Sequence, residues 1–379
     1  MPADRLFEEL TAFFDSLPDP RLDRCKRHEL SDILLLSLFA VLSGADSWTD
    51  IELFGKAHKS ALRQVLKLPN GVPSHDTIGR VFSLLSARQF EHCFIQWAQS
   101  LMQVAGAEIV AIDGKSLRRS FDQSAGKNRL HLVSAFATSQ GLTLGQLKTA
   151  DHSNEITAIP ELIDQLDLKG TTVTIDAMGC QREIVERLRG QEADYVLALK
   201  GNQGTLHEDV ELYLTDQIEQ GFRDGRHDYY ETVDKGHGRV ERRRYWVTDE
   251  IDWLRTRHPL WRDLMSIGVV ESCRQIGAES SCERRFYISS KPAEAKSFAQ
   301  AVRQHWGIEN QLHWILDMTC HEDQCRVRQG NAAEHFSILR RIAMNLLKRE
   351  GSQLSMKAKR KKAGWDFSFL CHVLACNGF

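Results

Sequence analysis

Along this chain the apolar positions change rhythm near residue 100. Before it they recur at helical spacing. LSDILLLSLFAVLSG (30 to 44) is apolar on nearly every side, the pattern of a buried helix. Asp46 or Ser47 can cap a second helix through SWTDIELFGKAHKSAL. Ser74, with Thr77, can cap a third in PSHDTIGRVFSLL. Residues 1–97 therefore read as an all-α N-terminal domain, compact enough to be a DNA-reading module or simply a packing unit.

From 107 the rhythm is that of short strands. EIVAID is followed by RLHLVSAFAT and GLTLGQLKTA, and the last two meet at Ser139-Gln140-Gly141 in a hairpin. SNEITAIPELIDQLD reads as a helix with a Ser153 cap, TTVTID as a strand, CQREIVERLRG as a helix ending at a glycine, and DYVLALK as a strand. The order β-β-β-α-β-α-β is that of a ribonuclease-H-like α/β fold, a mixed sheet with helices on both faces. Residues 201–290 are polar, basic in places and strand-rich, and read as a β-rich insertion. The catalytic domain would span 98–350, followed by a basic C-terminal tail and short helix over 351–379.

In that topology the first and fourth strands are neighbours. Asp113 and Asp176 stand where those two apolar runs stop. Asp113-Gly114 alone also reads as a turn. Two carboxylates emerging side by side are costly unless a cation joins them, so Asp113 is half of a candidate metal site. FAQAVRQHWGIENQLHWILDMT (298 to 319) reads as one continuous helix whose apolar stripe contains Phe298, Val302, Ile308, Leu312 and Leu316. Glu309 falls within roughly 20° of Phe298, Val302 and Leu316 on the wheel, on a core-facing margin that suits a carboxylate only if it is paired or metal-bound. An oxygen-only Asp, Asp, Glu set suits two Mg²⁺ or Mn²⁺ ions, able to activate a water or a 3′-hydroxyl and to stabilise the leaving oxygen of a phosphodiester.

Charge adds basic neighbours. Formal net charge is only −2, which excludes coating of a polyanion by bulk charge but leaves local patches. Three stand out: Arg118-Arg119, Arg239 with Arg242–Arg244, and KAKRKK at 357 to 362. Lys115, Arg118 and Arg119 follow Asp113 closely, and Lys200 and Asn202 in KGNQ follow the last core strand, so all five are candidate DNA contacts. No apolar run approaches a membrane span, and MPADRLFEEL is no secretion signal, so a cytoplasmic, nucleoid-associated protein is expected. Nine cysteines without framework spacing suit reduced thiols.

AIDGKSLRRS, LHLVSAFA, SNEITAIPEL, TIDAMGCQ, DYVLALKGNQ, HWGIENQLHWILD and GNAAEHFSILRRIAMNLLK together resemble the DDE transposases of bacterial insertion sequences. The closer likeness is to the branch of the H-repeat-associated proteins. RHELSDILLLSLFAVLSGADSWTDIELFG and GVPSHDTIGRVF resemble that branch's associated N-terminal domain. The resemblance implies a triad of Asp113, Asp176 and Glu309 and a Mg²⁺- or Mn²⁺-dependent polynucleotidyl transferase. Its partners would be the terminal inverted repeats of its own element and target DNA, joined by at least a dimer on DNA. Related transposases often carry Tyr, Arg and Lys at fixed offsets from the glutamate; Val302, His305 and Leu316 stand there, so those roles do not transfer. His305, Trp306, Asn310 and His313 fit the narrower branch and are further candidates for DNA contact. The rival readings are a catalytically decayed or domesticated DNA-binding protein of the same fold, and a related nuclease.

Overall fold

The computed structural model describes residues 4–102, 108–121, 128–149, 155–223, 225–236 and 238–374. Six helices come first: α1 (Asp4–Asp15), α2 (Leu30–Leu42), α3 (Trp48–Ala57), α4 (Lys59–Leu62), α5 (His75–Leu84) and α6 (Ala87–Leu101). The expected caps are in place. The Ser47 hydroxyl accepts from the Asp50 amide at 3.2 Å, and the Ser74 hydroxyl from the Thr77 amide at 3.3 Å. Helix α2 is buried over almost its whole length, as its all-round apolar pattern requires.

Strands β1 (Ile109–Ser116), β2 (His131–Ala137) and β3 (Leu142–Lys148) precede α7 (Glu155–Gln165), β4 (Thr172–Ile175), α8 (Arg182–Gly190) and β5 (Asp194–Leu199). This is the order expected from the sequence. The Ser153 cap expected ahead of α7 lies outside the described residues. Helix α9 (Thr205–Glu219), β6 (Asp228–Gly236), β7 (Arg239–Thr248), α10 (Asp252–Arg257), β8 (Ser266–Ile276) and β9 (Glu279–Ser289) follow. The strands of 201–290 extend the sheet rather than forming a body of their own. Strand β9 pairs antiparallel with β5, giving one nine-stranded sheet in the order β3-β2-β1-β4-β5-β9-β8-β7-β6. The chain closes with α11 (Ala295–His305), α12 (Trp314–Cys320), α13 (Ala332–Arg349), α14 (Met356–Trp365) and α15 (Phe367–Leu374).

Period-2 alternation on β1 sorts the two faces. Val110 and Ile112 join the large core formed with α6, α7 and α13; Ile109 packs with α11, and Ala111 with the helical segment around Leu312. Helices α2 and α6 pack on α13 and share that large core with the sheet, so the N-terminal helices do not have a separate interior.

Three expectations change. Strand β1 does not stop at Asp113 but runs on to Ser116, with Asp113 opposite Ser134 and Gly114 opposite Val133 in the β2 ladder. The Asp-Gly pair is strand, not turn, because β2 supplies the ladder partners that a local reading lacks. The helix through Glu309 is not continuous: α11 ends at His305, and Glu309–His313 form a π-turn before α12. That extra residue per turn shifts the register, so Glu309 is exposed instead of core-facing. Finally, the thiols are not all free. Cys273 and Cys282 are cross-strand partners on β8 and β9 with Cα atoms 4.1 Å apart, and they form a disulfide. A hairpin that sets two cysteines directly opposite each other puts their sulfurs in bonding range. Cys93, Cys180, Cys320 and Cys325 keep free thiols.

Candidate functional site

Strands β1, β4 and β5 are parallel, so their C-terminal ends share one edge of the sheet. Ile112 of β1 is in register with Ile175 of β4. The next residues, Asp113 and Asp176, therefore lie side by side, and Lys200 leaves β5 on the same edge. Asp176 caps a 3-10 turn, Ala177–Gly179, accepting the amide of Met178 at 3.0 Å and that of Gly179 at 3.4 Å. Only glycine fits at 179, because a Cβ would sit 2.3 Å from the Ile175 side chain. The KGNQ turn holds this loop from the other side. The Asn202 amide donates to the Ala177 carbonyl at 2.8 Å, and the Gln203 amide donates to the Cys180 carbonyl.

Asp113 is the most perturbed acid on this edge. Burial pushes its carboxyl up to about 7, and the charges of Glu155, Asp176 and Glu309 push in the same direction, against a hydrogen bond from the Gly114 amide. Four carboxylates thus converge from three directions: Asp176 from the neighbouring strand, Glu309 from the π-turn, and Glu155 from the start of α7. A π-turn at such a point is a common device for aiming a side chain.

His313 ends the same π-turn, with Nδ1 3.5 Å from the Asp113 carboxylate and Nε2 buried without a hydrogen-bond partner among the described residues. Burial drives its imidazole down to about 3, with Arg341 and Lys115 adding repulsion. It is therefore neutral at ordinary pH, and its approach to Asp113 is not an ion pair. His305, the last residue of α11, lies against β4, its Nδ1 3.0 Å from the Thr174 hydroxyl. Burial lowers its pKa against the opposing pull of Asp176.

The candidate cations divide. Lys115 is turned inward, 9% exposed, and its ammonium binds Asp317 and, at 3.2 Å, Glu322. Glu322 is itself fully buried and bonded to Arg341 at 2.7 Å. Burial would raise the Glu322 pKa, but Arg341, Lys115 and Arg340 overcome that and hold it below the usual range. In this arrangement Lys115 braces the site from beneath instead of facing a phosphate. Arg118 is exposed, with a loose partner in Asp323 at 3.1 Å, and Arg119 and Lys200 are exposed too. Asn310 is exposed, its amide donating to the Trp306 carbonyl at 3.0 Å. Trp306 is half-buried under the Arg285 guanidinium, 5.2 Å from the ring centroid. It borders a hollow of about 600 Å³ that is also lined by Arg242, Arg303, Tyr245 and Tyr287. Of the other basic runs, Arg243 pairs with Asp234 and Arg244 with Glu271, while Lys359 and Arg360 are buried among backbone carbonyls.

As a metal centre the edge has the right chemistry. Its donors are carboxylate oxygens, the charges that Glu155, Asp176 and Glu309 bring to bear on buried Asp113 are ones a dication would offset, and His313 Nε2 is a buried polar atom without a hydrogen-bond partner among the described residues. Among the described residues no three such groups are already closed around one point. Glu155 and His131, which the sequence pattern passed over, are the new neighbours. Glu155 opens α7 inside the quoted motif SNEITAIPEL, but its approach to Gly114 is a tertiary event with no local signal.

The transposase DDE domain model matches residues 105–346, and the DDE-associated domain model matches residues 11–98. The chain belongs to the DDE transposase family. The "H repeat-associated putative transposase YhhI" of Escherichia coli (strain K12) is 43% identical over 98% of this chain and 99% of its own length. The "Putative protein YbfL" of the same strain is 43% identical over the same shares. A protein encoded in the dhlA 3′ region of Xanthobacter autotrophicus is 46% identical over 74% of this chain and 94% of its own. Among solved structures, piggyBac transposase in a synaptic complex with hairpin DNA aligns at a TM-score of 0.44 and 10% identity, covering 97% of this chain and 78% of that one. No helix among the described residues is long and apolar enough to cross a membrane.

Proposed function

We propose that this chain is an active DNA transposase with a ribonuclease-H-like catalytic core, which binds the terminal inverted repeats of its insertion sequence and cuts and joins DNA strands there. The observation that carries the reading is the convergence of Asp176 and Glu309 on Asp113 at the shared end of parallel strands, in a chain of the DDE family. Asp113, Asp176 and Glu309 would hold two Mg²⁺ or Mn²⁺ ions. When bound, these would lower the pKa of an attacking water or 3′-hydroxyl and stabilise the phosphodiester's leaving oxygen. The protein's own contribution is placement. Asn202 and the Gly179 turn fix the Asp176 carboxylate, the π-turn swings Glu309 out to the edge, and the Lys115–Glu322–Arg341 network holds the segment that carries both Glu309 and His313. Exposed Arg118, Arg119 and Lys200 flank the edge and suit phosphates of a duplex lying across it. Joining two element ends implies at least a dimer on DNA.

The test is Mg²⁺-dependent nicking of a duplex carrying the element's terminal repeat. Asp113→Asn, Asp176→Asn and Glu309→Gln should each abolish nicking while leaving duplex binding near that of the parent. Nicking at the parent rate by any one of them would remove that residue from the site. Duplex binding with no nicking by the parent protein would favour the catalytically decayed alternative.

A further inference from the structure

The triad accounts for three of the four carboxylates that crowd this edge. Glu155 is the fourth, and the chain holds it with several devices. Its Oε1 lies 2.8 Å from His131 Nε2, and His131 Nδ1 lies 2.6 Å from the Ser116 hydroxyl. With the carboxylate accepting from Nε2–H, the Nδ1 lone pair accepts the serine hydroxyl. Ser116 and Gly114 belong to the same strand as Asp113, and Ser116 is opposite His131 in the ladder. Gly114 makes the approach possible: a Cβ there would stand 2.0 Å from Glu155 Oε1 and 2.2 Å from its Cδ. A strand-interior glycine loses packing and backbone entropy, so its use beside a carboxylate needs a reason. Here the reason is room for Glu155. The Glu155 side chain is only 13% exposed, and its charge acts on Asp113 more strongly than that of Asp176 or Glu309.

The two faces of β1 explain the placement. Asp113 continues the alternation of Ile109 and Ala111 toward α11 and the π-turn, whereas Gly114 continues that of Val110 and Ile112 toward α7. Glu155 therefore reaches Asp113 around the strand from the face opposite to Glu309. The simpler explanation is that an acid in the first turn complements the dipole of α7. That explanation needs neither the glycine nor the histidine–serine chain, and a solvent-facing acid would serve it better than one pressed against another carboxylate.

We propose that Glu155 is a fourth carboxylate of the metal centre, supplying an oxygen to the divalent ion held at Asp113, with His131 and Ser116 as the residues that position it. This rests on the reading of Asp113, Asp176 and Glu309 as metal ligands and extends it to a residue on the opposite face of the sheet. Mn²⁺ titration of the full chain without DNA, followed by the electron paramagnetic resonance signal of free Mn²⁺, tests it independently of activity. Glu155→Gln should weaken Mn²⁺ binding at least tenfold. Gly114→Ala, which displaces the carboxylate without removing it, should weaken binding similarly, and His131→Ala should do so severalfold. Melting temperatures in chelator should stay close to the parent value, and the use of two different sites guards against a single variant that fails to fold. Parent-like Mn²⁺ binding by Glu155→Gln and Gly114→Ala, alongside loss in Asp113→Asn, overturns the proposal and leaves the triad standing. Parent-like binding by Asp113→Asn as well overturns the metal reading itself.

Discussion

Asp113→Asn should make the metal-free protein more stable at alkaline pH, even as it destroys the function proposed for the site. The folded protein raises this carboxyl from 3.8 to about 7, first through burial and then through its acidic neighbours. A raised acid binds its proton more tightly when folded than when unfolded. Its contribution to stability is complete below the unfolded value of 3.8 and is lost as pH rises through the folded value of about 7. Above that, the fold bears the full penalty of a desolvated, crowded carboxylate. The shift is about 3 units at about 1.4 kcal/mol each, giving on the order of 4 kcal/mol at pH 8. Asparagine has nearly the same shape and no charge to desolvate. For a chain of this length, 4 kcal/mol corresponds to a rise on the order of 5 °C in melting temperature. The assay is thermal denaturation followed by circular dichroism in chelator, from pH 5 to pH 8.5. The gap between variant and parent should be widest at pH 8 and narrow steadily toward pH 5. Adding Mg²⁺ or Mn²⁺ at pH 8 should raise the parent and leave the variant where it was. A variant less stable than the parent at pH 8, or a gap indifferent to pH, would refute the claim that this carboxylate is crowded.

Two other consequences concern the supports of the site. Lys115→Met removes the ammonium that bonds Asp317 and the fully buried Glu322, so it should cost on the order of 3 kcal/mol in urea unfolding, with Arg341 left as the main partner of Glu322. An exposed phosphate-binding lysine would cost almost nothing there and would flatten the salt dependence of duplex binding instead. Trp306→Ala should leave the melting temperature nearly unchanged, because the ring is half-buried under Arg285, and should lower nicking of intact duplex ends on the order of tenfold more than nicking of ends already unpaired. Equal losses on both substrates, with a marked fall in melting temperature, would make Trp306 a packing residue.

What the sequence disclosed about this site and what it hid follow from the range of the interactions involved. Asp113 and Asp176 were legible because strand periodicity is local, and because the order of strands and helices makes β1 and β4 neighbours; their register, Ile112 to Ile175, then delivers both acids to one edge. A wheel of constant pitch singles out Glu309 but puts it on the core-facing margin, whereas the structure leaves it exposed. The π-turn from Glu309 to His313 adds a residue to one turn, and nothing in ENQLH announces it. The exposure of Glu309 is what its proposed role as a metal ligand beside DNA requires, so the wheel fails where the proposed site lies. Lys115 departs from expectation for the opposite reason. Nearness in sequence to Asp113 suggested a shared substrate, but alternation along β1 continues past Asp113, and the partners that decide the direction of its side chain, Asp317 and Glu322, lie some 200 residues away. Glu155 carries no local signal, because an acid in the first turn of a helix is common. Only the pairing of Gly114 with that helix, through a gap that no Cβ could share, turns a helix-start acid into a neighbour of the catalytic candidate. Where a glycine interrupts a strand next to an acid, the side chain that fills its place is therefore the first thing to look for.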